Sequence, residues 1–393
     1  MLQDRSPLTR RQTFAVGIGL AIGSSVLPQR WFKSHPHAVT VERDAWPMEQ
    51  HDPARTGYAG SETGPTREPA VAWQTELGEE QLTRRKLISS GEQIYVTSHH
   101  SLTAVDAIEG ERQWQLTRLG TLPWGGEQLS TGVSPVLGNG QLFVGANDLY
   151  AVNPANGNAQ WEYETTSLDE MLRVGNTVYI SYGDVLAAVD ASSGLERWKA
   201  ETRLHPKAYA QGQLVGSIGY DGVFGAVDAA SGSVEWTREI KRNDAYRIGP
   251  CVTNETVYYG TGPLYALDLT DGSTLWTHSL ATAGAELKPV SDGTTVYLAV
   301  GETNRVLALD ASTGDIRWSR KQEAITTGSA PALTEETLYV GLKHGVVAFD
   351  TATGAERFLV RKSEAASIQN SPIVVGDTLY VMLDGTLFAL TDE

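Results

Sequence analysis

The sequence predicts an all-β fold, an eight-bladed β-propeller of four-stranded antiparallel blades, from three observations. A motif of the form apolar-Ala-x-Asp-x-x-(Ser/Thr)-Gly-x-x-x-Trp recurs along the chain. Its copies stand about forty residues apart, the length of one blade. The two chain ends hold complementary parts of one further unit.

Seven copies run to completion: Asp106 to Trp114, Asn153 to Trp161, Asp190 to Trp198, Asp228 to Trp236, Asp268 to Trp276, Asp310 to Trp318 and Asp350 to Phe358. From Asp or Asn the Gly always follows at four residues and the ring at eight. A short polar side chain at a strand end accepts backbone N–H bonds two residues on and closes a turn. The Gly supplies a positive φ that other residues resist. The ring then returns at fixed height on the next strand, where a large contact area and one N–H suit a wedge between sheets. Trp73, Trp114, Trp161, Trp198, Trp236, Trp276, Trp318 and Phe358 are therefore expected as structural docking residues, not as an aromatic cage.

A second apolar strand precedes each anchor, as in Ile94-Tyr95-Val96 and Leu338-Tyr339-Val340. Ahead of that lies a column holding Pro135, Pro250, Pro289, Pro331 and Pro372, with Lys207 in the same place, where an inner strand begins. Each unit thus holds an inner strand, two middle strands and a Trp strand joined by Gly-containing turns. The first interval, from Asp106 to Asn153, is the longest and places an insertion near 120–126. The last copy, Phe388-Ala389-Leu390-Thr391, lacks a Trp strand, and Val71-Ala72-Trp73 supplies one from the other end. Sharing a blade between the termini removes the free sheet edge.

The chain divides into an export signal or N-terminal anchor over 1–45, an extended lead-in over 46–70 and the propeller over 71–393. Arg10-Arg11 precedes the uncharged run from Phe14 to Leu27, which is too short to span a bilayer but suits the apolar part of a twin-arginine-like signal. The expected location is extracellular, cell surface or periplasmic, with membrane contact only through that segment if it is not cleaved. A formal charge of −16 argues against nucleic-acid binding. The lone Cys251 allows no intramolecular disulfide, and its place at the start of an apolar strand predicts a buried, inert thiol.

The repeat resembles the tryptophan-docking motif of the PQQ-like, quinoprotein alcohol dehydrogenase-like propellers, over roughly residues 70 to 393. Trp46-Pro47 and Asp52-Pro53-Ala54-Arg55-Thr56-Gly57 are similar to the lead-in of exported members. In size and blade number the chain resembles the BamB-like scaffold branch. That resemblance implies a non-enzymatic, monomeric binding propeller with no cofactor. The alternative it implies is an oxidoreductase using PQQ with Ca²⁺, or another propeller enzyme. The quinoprotein dehydrogenases carry a vicinal Cys-Cys disulfide that Cys251 cannot make, and the motif Asp residues are consumed by turns.

No catalytic residue or metal ligand set is predicted, and His99-His100 and Lys343-His344 read as exposed turns. The channel mouth offers the candidate binding residues: Arg84, Arg85, Lys86, Asp169, Glu170, His205, Lys207, Arg247, Glu286, Lys288, Gln369 and Asn370. Such a mixed ring suits a protein partner or a small polar ligand at the propeller face. The alternative is a solvated rim whose charges compensate one another.

Overall fold

The computed structural model describes residues 45–61, 63–78, 86–98, 100–119, 127–129, 133–219, 222–240, 249–282, 287–362 and 370–392. The export segment, the 120–126 insertion, His99, Arg84, Arg85, Arg247, Glu286 and Gln369 lie outside these residues.

Eight four-stranded antiparallel sheets form the molecule. Blade 1 runs Leu87–Ser89, Gln93–Thr97, Leu102–Asp106 and Arg112–Leu116 from channel to rim. Blades 2 to 7 repeat this order over 136–163, 168–200, 204–239, 251–278, 290–321 and 332–361. Blade 8 takes Ile373–Val375, Thr378–Leu383 and Thr386–Thr391 from the C-terminus and its outer strand, Ala70–Glu76, from the N-terminal side. Ala70 pairs with Thr391 and Glu76 with Thr386. Each inner strand contacts the inner strands on either side, and blade 1 meets blade 8, so the ring is closed. A short ribbon, Arg118–Leu119 against Glu127–Gln128, flanks the inserted segment.

The motif builds the joints between blades. In blade 1, Asp106 Oδ1 accepts the N–H groups of Ile108 and Glu109 at 2.9 and 2.8 Å, and Gly110 closes the turn with φ +71°. The ring from the preceding blade lies on that turn: a Cβ on Gly110 would stand 2.5 Å from Trp73, and one on Gly272 2.4 Å from Trp236. The same indoles donate to the carbonyl after the motif Asp, Trp73 to Ala107 at 3.0 Å and Trp236 to Leu269 at 2.7 Å. Glycine is thus required twice, for its φ and for the ring above it.

Across the sheet the motif Ala faces its own ring, as Ala104 faces Trp114 and Ala266 faces Trp276, and the register shifts at the next residue in every blade from 1 to 7. The small side chain leaves room for the indole, and the extra residue, Gln113 in blade 1, lies on the ring strand just before the Trp.

Phe358 breaks the Trp pattern where its partner turn is missing. Blade 8 passes from Thr391 to Ala70 without a covalent turn, so no motif carbonyl awaits an N–H. The lead-in fills that place. Tyr339 donates its hydroxyl to the carbonyls of Thr63 and Pro65 at 3.2 and 3.0 Å, and Asp392 accepts the Thr66 and Arg67 N–H groups.

Cys251 is fully buried, and burial pushes its thiol well above the ordinary value. No helix among the described residues is long and apolar enough to cross a membrane.

Candidate functional site

Residues 46–57 do not approach the propeller from outside; they line one end of its channel. The backbone carbonyls of Trp46, Pro47, Pro53, Ala54, Thr56 and Gly57 accept the N–H groups of Ser89, Leu137, Tyr209, Val252, Ser291 and Leu333, all at 2.7–2.9 Å. These six amides occupy one repeat position, two residues beyond the proline column, in blades 1, 2, 4, 5, 6 and 7. At these six positions the inner strand has no further strand to take its N–H. The lead-in satisfies them in turn, as buried amides demand.

Blade 3 differs. Its equivalent residue is Arg173, whose guanidinium reaches across to Asn139 Oδ1 at 2.8 Å. Here the lead-in is held by a side chain instead: Arg55 pairs with Glu170 at 3.9 Å, and its Nε donates to the carbonyl of Lys207. Gln50, His51 and Arg55 all adopt left-handed backbone, with φ of 58°, 74° and 56°. Such conformations cost about 1–3 kcal/mol each and persist only where the surroundings dictate them.

Glu49 sits at the centre. Its Oε1 accepts from Lys86 Nζ at 2.8 Å and Lys288 Nζ at 3.0 Å, and its Oε2 accepts from Ser134 Oγ at 2.9 Å and faces Arg55 at 3.6 Å. Lys207 bonds Glu170 on the far side of Arg55, so the whole set forms one connected network. The side chains are buried or half-buried, from 7% exposed for Arg55 to 27% for Lys86. Burial raises the Glu49 carboxyl, but Lys288, Lys86 and Arg55 outweigh it and hold the group well below 4.5. Burial, opposed by Glu49, lowers Lys86. Gln50 donates its amide to the carbonyls of Arg55 and Pro289, which orients it and leaves Oε1 as the acceptor.

Of the expected mouth residues, Lys86, Glu170, Lys207 and Lys288 therefore converge, but on the lead-in and not on open solvent. Asp169 and His205 lie beside them between blades 3 and 4. Burial raises the Asp169 carboxyl, which accepts the Gly183 N–H at 3.2 Å, and burial lowers the His205 imidazole, which faces Ser181 Oγ at 3.4 Å. Asn370 is buried on the opposite side, next to a recess between blades 1, 7 and 8 lined also by Trp46, Glu49, Gln50, Lys86, Gly328 and Ser371.

Sequence reasoning missed Glu49, Gln50 and Arg55, because a segment ahead of the first repeat reads as a connection. The repeat alone leaves a column of inner-strand amides without acceptors, but nothing in residue identity says that residues 46–57 supply them. No cluster of three or more His, Cys, Asp or Glu side chains suited to a metal occurs among the described residues.

A family model described as outer membrane protein assembly factor BamB matches residues 67–214, 170–278 and 260–392. The outer membrane protein assembly factor BamB of Yersinia pestis is 26% identical over 335 residues, covering 81% of this chain and 76% of that protein. Two solved structures share the fold. BamB from Moraxella catarrhalis superposes with a TM-score of 0.61 at 18% identity, over 82% of this chain and 99% of the other. A quinohemoprotein alcohol dehydrogenase from Comamonas testosteroni gives 0.67 at 13% identity, over 89% and 81%. With the family model running over nearly every blade, the chain belongs to the PQQ-like, BamB-like propeller family.

Proposed function

We propose that this chain is an exported, envelope-associated propeller that serves as a protein-interaction platform and carries out no turnover chemistry. The observation that supports this reading is the filled channel. A propeller enzyme places its reacting groups where the channel opens to substrate, and here Glu49, Gln50 and Arg55 of the chain itself occupy that space. The kinship with proteins named for outer membrane assembly supports an envelope partner, and residues 1–45, with their twin-arginine-like pattern, supply the export signal.

PQQ with Ca²⁺ does not fit the described channel residues. The carboxylates that a Ca²⁺ needs as oxygen ligands are engaged, Glu49 by two lysines and an arginine and Glu170 by Lys207 and Arg55.

Cross-linking in the native cell envelope followed by affinity capture tests the reading. The expected result is specific retention of an envelope protein by the full chain. A saturable quinone absorption change with thermal stabilisation on adding PQQ and Ca²⁺ would overturn it.

A further inference from the structure

The hairpin turns at one end of the propeller form an acidic ring with a gap in it. The turn joining the first two strands holds Glu92 in blade 1 and Glu255, Asp292, Glu335 and Asp377 in blades 5 to 8. In blades 2, 3 and 4 the same turns read Asn139-Gly140, Gly175-Asn176 and Gln211-Gly212, with no carboxylate. The motif turns of blades 2 and 3 agree with this. Blade 2 has Asn153 where every other complete copy has Asp, and the Asp190 carboxylate of blade 3 is engaged by Ser192, Ser193 and Arg197. On the turn end of a chain with net charge −16, this arc is where an approaching carboxylate is repelled least.

Arg173 stands in the gap. It is the one charged residue at a repeat position that the other blades fill with Leu, Val, Ser or Tyr. Its half-buried guanidinium covers Gly138, where a Cβ would stand 1.9 Å from Cζ. Gly138 does not have a positive φ, so the guanidinium is what requires glycine there. Nη1 donates to the Leu137 carbonyl at 3.4 Å and Nη2 to Asn139 Oδ1 at 2.8 Å, while Nε has no hydrogen-bond partner among the described residues. Burial lowers the guanidinium from its ordinary value, and among the described residues no carboxylate offsets that shift. From Asn139 a chain of bonds continues outward. Its Nδ2 donates to Asn176 Oδ1 at 2.7 Å, Asn176 Nδ2 donates to Asp190 Oδ2 at 2.9 Å, and the Asp190 N–H donates to the Leu195 carbonyl at 2.8 Å. Leu195, at 69%, is the most exposed large apolar side chain among the described residues. A cation without a carboxylate and an apolar side chain without cover therefore stand at the two ends of one bonded chain.

We propose that the turn ends of blades 2 and 3 dock an acidic segment of a protein partner, with one Asp or Glu carboxylate on Arg173 and an apolar side chain of the same segment on Leu195. A guanidinium offers a carboxylate a planar fork of N–H groups, which a Lys ammonium does not. Glu92 and Glu255 in the flanking blades bound the arc, so a polyanion such as a nucleic acid is turned away where a single carboxylate is accepted. The proposal rests on the platform reading, to which it adds the face used and the chemistry of the partner.

A displayed library of random dodecapeptides tests it on the full chain. The library is first depleted on folded Arg173→Gln and then selected on the wild type, so that only peptides dependent on Arg173 survive. Survivors carrying Asp or Glu with an apolar neighbour are expected. As synthetic peptides they should lose at least tenfold in affinity when the acid is replaced by its amide. The same loss is expected in Gly138→Ala, which keeps the charge but displaces it, and in Arg173→Lys, which keeps the charge without the fork, with near-UV circular dichroism confirming the fold of each variant. No survivors, survivors without an acidic residue, or equal affinity for a folded Arg173→Lys and the wild type would overturn the proposal. The platform reading fails separately, when the wild-type chain retains no envelope protein.

Discussion

Replacing Glu49 with Gln leaves Lys86, Lys288 and Arg55 facing one another in a buried space without their shared counter-charge. Breaking such a buried cluster from one side costs about 3–5 kcal/mol. Urea unfolding of Glu49→Gln should show a loss of that order, whereas exposed pairs such as Lys321 with Glu323 contribute little. The pH dependence has a definite sign. The folded Glu49 carboxyl lies well below its ordinary value of 4.5, so its contribution is complete above that value and disappears as pH falls through the depressed one. The stability gap between wild type and Glu49→Gln should therefore hold steady from neutral pH down to about 4.5 and narrow below it. A gap that widened on acidification would contradict the assignment.

Between blades, the Trp–Gly joint makes two substitutions informative. Gly175 and Gly272 both have positive φ, 55° and 70°, but a Cβ at Gly175 meets nothing within 4 Å while one at Gly272 strikes Trp236. Both Ala variants incur the backbone cost of about 1–2 kcal/mol. Gly272→Ala should be clearly the less stable in chemical denaturation, because a packed ring must also move. Trp236→Phe removes the buried N–H that serves the Leu269 carbonyl and should cost about 1–3 kcal/mol. This level of the structure was legible in the sequence because the motif is local: turn, bulge and ring fall within nine residues and repeat. That Gly also accommodates the ring of the preceding blade was not legible, since the contact joins residues more than thirty positions apart. The Phe358 exception became intelligible only when blade 8 proved to lack a covalent turn.

For the whole molecule, two closures act together. The strand Ala70–Glu76 completes blade 8, and residues 46–57 tie six inner strands across the channel. The first was legible because Trp73 and the truncated last copy are complementary. The second was not, because main-chain acceptors leave no trace in residue identity and the repeat register gives no position to a segment outside it. Lys86, Glu170, Lys207 and Lys288 were found by register, and their counter-charges lay in a segment without repeats. On the proposed platform reading, partners would meet the faces and rim while the channel core stays fixed. The most direct test is native-state hydrogen exchange at the amides of Ser89, Leu137, Tyr209, Val252, Ser291 and Leu333. If the lead-in fills the channel, these amides exchange only through global or near-global opening, and deletion of residues 46–57 exposes all six together. Exchange in the intact chain as fast as at surface turns such as Gly140 would show that the channel is open and contradict the account.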